Sequence, residues 1–168
     1  MPPLRAANFG LDGDRTQHLL WRLQHGELEG LAPRVVVVLI GTNNTGLEKD
    51  GVTPRNSPAE ATEGISLVVR TLRSRLPASR ILLLGIFPRG ETDAPQRAQI
   101  REINAALARL DDGRQVRFLD LGPRFLAPDG TLSREIMPDL VHLSEAGYAI
   151  WAAALKAPLA ELLKAGRP

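Results

Sequence analysis

The chain of 168 residues is long enough for one domain with a single substantial hydrophobic core. Its 21 Lys and Arg stand against 19 Asp and Glu, a formal net charge of only +2, and no dense basic run occurs, so no nucleic-acid partner is expected. The absence of cysteine excludes disulfides, thiolate metal sites and a cysteine nucleophile, and no apolar run approaches the roughly 20 residues that span a bilayer.

The hydrophobic pattern alternates between strand and helix along the chain. Two aliphatic runs lack polar alternation, which predicts parallel strands covered on both faces. Apolar residues at helical spacing predict helices between the strands, and Pro77 ends the second helix. In chain order the predicted elements are a weak strand at 5–9, a helix at 16–23, an aliphatic strand at 35–40, a helix at 59–76, an aliphatic strand at 81–86, a helix at 96–110, a short strand at 116–119 and a last helix from about Ser144 toward Leu163, with a kink before Pro158.

This order of elements predicts an α/β domain with a three-layer, doubly wound parallel sheet. In such sheets, ligands bind beyond the carboxyl ends of the strands. Candidate functional residues should therefore follow positions 9, 40, 86 and 119. The loop at residues 45–58 is rich in Gly, Pro, Asn and Thr, and we expect it on the same rim because it follows a strand end.

Two candidate sites for a developing negative charge follow the first two predicted strands. Residues 8–14 pass from strand to helix through Gly10 and Gly13, and backbone N–H groups at a helix start can stabilise an oxyanion. A glycine-rich turn needed for its geometry alone explains the same residues and is the more common case. Residues 41–44 read Gly-Thr-Asn-Asn, where an Asn side-chain amide can donate to an oxyanion or simply turn or cap the chain.

A candidate acid–base pair precedes the last predicted helix. Asp139 lies three residues before His142, and a carboxylate at that spacing can accept the ring N–H of a general base within one loop. A loop Asp beside an unrelated surface histidine explains the pattern as well. His18 and His25 lie in or beside the first helix without a carboxylate at a suggestive spacing, so we expect them to be solvated.

Taken in order, several segments resemble the SGNH (GDSL-type) hydrolase superfamily: 8–28, 36–44, 84–90, 118–120 and 137–148. The likeness is greatest to the branch that contains the catalytic subunits of intracellular platelet-activating-factor acetylhydrolase and their bacterial relatives. It covers nearly the whole chain and implies the flavodoxin-like SGNH hydrolase fold. It also implies a serine esterase that hydrolyses short, acetyl-like acyl esters through an acyl-enzyme, with no metal and no cofactor.

The resemblance implies roles for four residues. Gly13 corresponds to the glycine whose backbone N–H forms part of the oxyanion hole, and Asn43 to the asparagine that supplies a side-chain donor. His142 resembles the base that activates the serine, and Asp139 resembles the acid that orients the base. A small acyl-ester substrate and, from the family alone, a homodimer are the implied partners.

The family's nucleophile motif, Gly-Asp-Ser on the first strand, has no counterpart in this chain. Seven residues precede Asn8 and none of them is serine, and residues 10–14 align with the oxyanion motif instead. The serines present lie in a loop, on helices or near helix ends: Ser57, Ser66, Ser74, Ser79, Ser133 and Ser144. We favour a start at Met1 that truncates the domain; a catalytically inactive interaction or binding domain on the same fold and a nucleophile taken over by another residue are the alternatives.

The chain is interpreted as one SGNH-hydrolase-like domain over residues 1–168, N-terminally truncated and without its first strand, whose neighbours would have unpaired edges. Residues 1–5 lack the apolar core of a secretory signal, which favours the cytoplasm for the chain as it stands, although a lost N-terminus could have carried such a signal. The loop at 45–58 resembles bacterial members of the superfamily more than animal ones. A flavodoxin-like nucleotide binder is disfavoured because no Gly-x-x-x-x-Gly-Lys or Gly-x-Gly-x-x-Gly follows a strand.

Overall fold

The computed structural model describes residues 4–26 and 28–166, and within them three parallel strands form one sheet. The strands are β1 (Val35–Val38), β2 (Arg80–Leu84) and β3 (Val116–Leu119), paired in the order β1-β2-β3. The accompanying helices are α1 (Thr16–Gln24), α2 (Pro58–Arg75), α3 (Pro95–Leu107) and α4 (Glu145–Lys164). The start at Met1 and Glu27, which falls in the first segment of the resemblance, lie outside the described residues.

Alternate residues of β2 face opposite helical layers. Ile81 and Leu83 pack with α1, α2 and α3, whereas Leu82 and Leu84 pack with α4. Both faces of the strand are apolar because helices cover both of them, as the unbroken aliphatic run predicts. The predicted three-layer α/β architecture with a parallel sheet is confirmed.

The prediction of a strand at residues 5–9 is wrong. Residues 4–10 have no regular secondary structure and are exposed. A strand is stabilised by hydrogen bonds to a neighbouring strand, and within the described residues β1 pairs only with β2. The segment before α1 therefore has no strand beside it with which to pair.

β1 and β2 differ in exposure although both are aliphatic. Residues 81–84 of β2 are between 0% and 1% exposed, whereas Val37 of β1 is 40% exposed. Within the part of the chain that the structure describes, β2 has a strand on each side and β1 has one on a single side. The outer edge of β1 is thus unpaired there, and one of its valines lies open to solvent.

Serines cap the two longest helices. Ser57 Oγ accepts the Glu60 N–H at 3.2 Å while the Glu60 carboxylate accepts the Ser57 N–H at 2.8 Å, which is a capping box. Ser144 Oγ accepts the Gly147 N–H at 3.2 Å, so the predicted N-cap of the last helix is confirmed. α4 continues through Pro158. Among the helices of the described ranges, none combines the length and the hydropathy needed to cross a bilayer.

Candidate active site

Asp139 and His142 are hydrogen-bonded to each other in the loop before α4. His142 Nδ1 lies 2.6 Å from Asp139 Oδ2, and because an ionised carboxylate can only accept, the ring carries its hydrogen on Nδ1. The other oxygen, Oδ1, accepts the backbone N–H of His142 at 2.8 Å and of Val141 at 3.0 Å. The expected contact is therefore present, and it leaves Nε2 of the ring as a proton acceptor; the catalytic roles remain predictions.

The loop closes on itself because Leu140 adopts a left-handed backbone conformation, with a φ of 61°. This conformation is strained for leucine, and surrounding contacts hold it in place. Leu140 is 6% exposed and its carbonyl accepts the Gly90 N–H at 2.9 Å. Arg134 Nη1 donates to Pro138 O at 3.1 Å. The Asp139–His142 turn thus depends on the segment that follows β2.

The Asp139 carboxylate is held in its ionised form. The hydrogen bond from the His142 side chain lowers the pKa of Asp139 far below its ordinary value, and the backbone N–H groups of His142 and Val141 lower it further. Both side chains of the pair stay accessible, with 75% of His142 and 55% of Asp139 exposed. An incoming group can therefore reach the imidazole directly.

Gly13 and Asn43 come together just before α1. Asn43 Nδ2 donates to Asp14 O at 3.0 Å, which places the amide beside the backbone of the Gly13 turn. Gly13 has a φ of +74°, in the left-handed region that favours glycine. Over residues 4–26 and 28–166, no backbone carbonyl accepts the Gly13 N–H. Both residues can therefore offer a donor to a bound oxyanion, since the Asn43 amide carries a second hydrogen.

Asn44 has a different role from Asn43. Its Oδ1 accepts the Thr16 N–H at 3.0 Å in the first turn of α1, and its Nδ2 donates to Asn56 Oδ1 at 2.8 Å. The residue is 1% exposed. From the sequence, the side chains of these two asparagines could serve either as a cap or as an oxyanion donor. The structure gives the cap to Asn44, which ties α1 to the loop after β1, and leaves Asn43 as the candidate donor.

The Gly-Thr-Asn-Asn segment forms a short 3-10 turn, Thr42–Thr45, that requires the glycine before it. Gly41 has a φ of +113°, and a Cβ at this position would lie 2.7 Å from Ile86 Cδ1 and 3.0 Å from Ile65 Cδ1. Only a residue without a side chain fits between the turn and these core side chains. The candidate donor Asn43 is therefore fixed against the core.

Two consecutive residues after β2 connect the two halves of the site. Arg89 Nη1 donates to Thr42 O at 3.0 Å, and Gly90 N–H donates to Leu140 O at 2.9 Å. The carboxyl ends of parallel strands meet at one sheet edge, so these segments share a rim. The Asp139–His142 loop and the Thr42–Thr45 turn are thus both hydrogen-bonded to the same short segment.

Within the described ranges no serine is hydrogen-bonded to His142. Ser66 Oγ donates to Thr62 O at 2.8 Å, Ser79 Oγ to Pro33 O at 2.6 Å and Ser144 Oγ to Glu135 O at 2.6 Å. These hydroxyls stabilise the backbone near their own helices or strands. None of them is placed as a partner for the imidazole.

Two arginines at the site escaped the sequence analysis. Arg55 Nη1 donates to Asn43 O at 3.2 Å, and Arg89 contacts the preceding residue of the same turn. The position of Arg89, in the segment that follows an aliphatic strand, was a usable signal because ligands bind at strand ends. No sequence signal distinguished Arg55 within the loop at residues 45–58. The loop itself lies on the rim where it was expected, and a 2.9 Å ion pair between Arg15 and Glu48 holds it there.

The GDSL-like Lipase/Acylhydrolase family profile matches residues 2–150. Platelet-activating factor acetylhydrolase IB subunit alpha1 of Homo sapiens is 41% identical over 162 residues, which cover 96% of this chain and 66% of that relative. The chain therefore spans just under two thirds of the length of this curated relative.

Solved structures show the same fold. A Streptococcus pneumoniae protein provisionally described as a platelet activating factor is 30% identical with a TM-score of 0.74, and the match covers 91% of this chain and 72% of that chain. A GDSL-like lipase from Bacteroides thetaiotaomicron has a TM-score of 0.71 over 89% of this chain and 72% of its own. Its identity is 18%, so this second likeness concerns the fold alone.

Proposed function

The chain belongs to the GDSL-like lipase/acylhydrolase family, and on that premise we propose that it carries the base and the oxyanion-binding groups of a serine esterase. The proposed substrates are short, acetyl-like acyl esters, since the chain is 41% identical to a platelet-activating factor acetylhydrolase subunit. The observation that carries the proposal is the 2.6 Å contact between His142 Nδ1 and Asp139 Oδ2. This chemistry requires neither a metal nor a cofactor.

In the proposed reaction, His142 Nε2 accepts the proton of a serine hydroxyl while the serine oxygen attacks the ester carbonyl carbon. Asp139 holds the ring in the required tautomer and stabilises the imidazolium. The carbonyl oxygen becomes an oxyanion that accepts hydrogen bonds from Gly13 N–H and Asn43 Nδ2. His142 then donates its proton to the leaving alcohol. Water hydrolyses the resulting acyl-serine by the same steps, which releases the carboxylic acid and restores the hydroxyl.

We propose that the nucleophile lies on a further strand, which pairs with the edge of β1 that is unpaired within residues 4–26 and 28–166. Val37 is 40% exposed although a run of four valines is typical of a covered strand. A strand bearing Gly-Asp-Ser, encoded upstream of the Met1 codon, would cover this edge and end on the rim. The simplest test is the preceding DNA: an in-frame Gly-Asp-Ser supports this origin of the serine, and an early in-frame stop codon contradicts it.

Activity of the N-terminally extended protein tests the proposed function. We expect hydrolysis of p-nitrophenyl acetate to fall at least about a thousandfold in His142→Ala, because the substitution removes the general base. The matched control is His25→Ala, since His25 is exposed and stacks on Trp21 with ring centroids 4.3 Å apart. This control should keep wild-type turnover. An extended protein that hydrolyses no p-nitrophenyl ester of any acyl length would show that the proposal is wrong.

A catalytically inactive interaction or binding domain is the second candidate function. It is favoured by the hydrogen bonds of the serines, none of which reaches His142 within the described residues. It predicts that the 168-residue chain folds stably, as a monomer or as the homodimer expected from the family, and hydrolyses no ester. Sedimentation, thermal unfolding and an ester assay on this chain test it. Aggregation or a molten state would contradict it.

A further inference from the structure

Two guanidinium groups lie against the Thr42–Thr45 turn. Arg89 Nη1 donates to Thr42 O at 3.0 Å, and Arg55 Nη1 donates to Asn43 O at 3.2 Å. The two carbonyls belong to consecutive residues, so the two cations are neighbours although they come from different segments. Each guanidinium carries five N–H donors, and one bond to a carbonyl leaves most of them for a ligand.

Arg55 is held in place by backbone packing. A Cβ at Gly46 would lie 3.2 Å from Arg55 Nη1 and 3.4 Å from its Cζ, so the guanidinium rests on the bare backbone of Gly46. The Arg55 N–H donates to Gly46 O at 2.9 Å. Arg55 Nε is buried and has no hydrogen-bond partner in the part of the chain that the structure describes. A cation fixed in this way loses little side-chain entropy when it binds a ligand.

The carboxylates near these two arginines are hydrogen-bonded to other residues. Asp139 lies close enough to Arg89 to favour its charged form, but it is bonded within the acid–base pair. Glu48 interacts with Arg55 at longer range, but it forms a 2.9 Å ion pair with Arg15. Burial lowers the pKa of Arg89, and the charge of Arg55 lowers it further. Two close cations therefore share a half-buried position, and a bound anion would offset their repulsion.

We propose that Arg55 and Arg89 form a subsite for an anionic group, a phosphate or a carboxylate, carried by the ester substrate. The inference rests on the proposed function, because it places the anion beside Asn43 and on the rim that carries His142. Arginine binds such groups through charge-assisted and often bidentate hydrogen bonds. The substrate class is thereby narrowed to acyl esters that also carry a phosphate or a carboxylate.

Titration of the 168-residue chain with inorganic phosphate tests the subsite directly. Arginine Nε–H and backbone amide resonances of residues 42–46 are followed by NMR, with chloride added to keep the ionic strength constant. We expect saturable shifts, and a dissociation constant about tenfold higher in Arg55→Gln and in Arg89→Gln, because each loses charge-assisted bonds. Arg70→Gln is the matched control, since exposed Arg70 pairs with Glu63 on α2. It should bind phosphate like the wild type.

Two further arms identify the anion. Dimethyl phosphate imitates a phosphodiester and acetate imitates a carboxylate. The anion that binds the subsite with the lower dissociation constant therefore identifies the chemical class of the group that the substrate carries. Arg55→Lys and Arg89→Lys keep the charge and should retain part of the binding, which separates lost binding from lost folding. Shifts that never saturate, or an equal weakening in Arg70→Gln, would overturn the subsite because the attraction would then be diffuse.

The outcomes for the subsite and for the esterase are distinguishable. Phosphate binding needs no turnover, and p-nitrophenyl acetate is neutral and needs no anion site. A chain that binds phosphate through Arg55 and Arg89 while its extended form hydrolyses no ester keeps the subsite and overturns the esterase. An extended protein that is an active esterase without saturable phosphate binding overturns the subsite alone.

Discussion

The acid–base loop and the Thr42–Thr45 turn face one rim but are built in different ways. Asp139 and His142 are three residues apart, more than half exposed, and bonded to each other within a single turn. Asn43 instead bonds to Asp14, 29 positions earlier in the chain, and Asn44 bonds to Thr16, 28 positions earlier, at the start of α1. Asn44 is 1% exposed.

This difference separates the chemistry of the site from its stability. Changes in the exposed loop should alter proton transfer and leave the fold nearly intact, because few buried groups lose a partner there. In the Thr42–Thr45 turn the two asparagines should differ, since Asn43 is the candidate oxyanion donor whereas buried Asn44 bonds to the start of α1.

The largest effect on stability is expected at Gly41. Gly41→Ala combines the strain of a left-handed backbone with the 2.7 Å approach to Ile86 Cδ1, so we expect a loss of about 2–5 kcal/mol in the free energy of unfolding. Gly13→Ala is the matched control, because Gly13 has a similar φ sign but nothing within 4 Å of its Cβ position. It should cost only about 1–2 kcal/mol by urea unfolding. Equal losses would show that the turn is not fixed by the core.

Asn43 should affect activity more than stability. In the N-terminally extended protein we expect Asn43→Ala to reduce kcat about 100- to 1000-fold, a barrier increase of roughly 2.7–4 kcal/mol, because an oxyanion donor is lost. The lost bond to Asp14 O should lower the free energy of unfolding by only about 1 kcal/mol. Steady-state kinetics and urea unfolding of the same preparation measure both effects. A stability loss with unchanged kcat would give Asn43 a purely structural role.

Asn44 should show the opposite behaviour. Asn44→Ala leaves the Thr16 N–H and Asn56 Oδ1 without their buried partner, so we expect about 1–3 kcal/mol less stability. Asn8→Ala is the control, because exposed Asn8 makes a local 2.9 Å bond to the Gly10 N–H. That variant should stay within about 0.5 kcal/mol of the wild type in thermal or urea unfolding. Similar losses in both variants would contradict the buried role of Asn44.

The smallest stability effect is expected at Asp139. Hydrogen bonds from His142 lower the folded-state pKa of Asp139, so its contribution is present above the ordinary carboxyl pKa and is lost as the pH falls toward the folded-state value. Both side chains of the pair are more than half exposed, so solvent screens much of this contribution. Asp139→Asn should then unfold close to the wild type, and the remaining difference should shrink below about pH 4. Thermal unfolding across a pH series measures this. A difference that grows on acidification would contradict the assignment.

Much of the fold and half of the candidate site were predictable from local sequence. The bounds of β3 agree with the prediction, and α2 and β2 agree within a few residues, because periodicity and flanking prolines are local signals. The Asp139–His142 contact was predictable because its partners share one turn. The strand at residues 5–9 failed because strand formation depends on a neighbour that propensity alone does not supply.

The sequence by itself determined the layered α/β class, the turn glycines and the Asp-x-x-His pair. Each of these features depends on residues that belong to the same turn or to the same helix or strand. Tertiary structure alone decided that Asn44 rather than Asn43 is the buried cap, that Arg55 and Arg89 meet at adjacent carbonyls, and that Val37 lies exposed in a strand that reads as covered. Each of these features depends on which segment, distant in the sequence, packs against the residue in question. The local sequence pattern does not identify that segment.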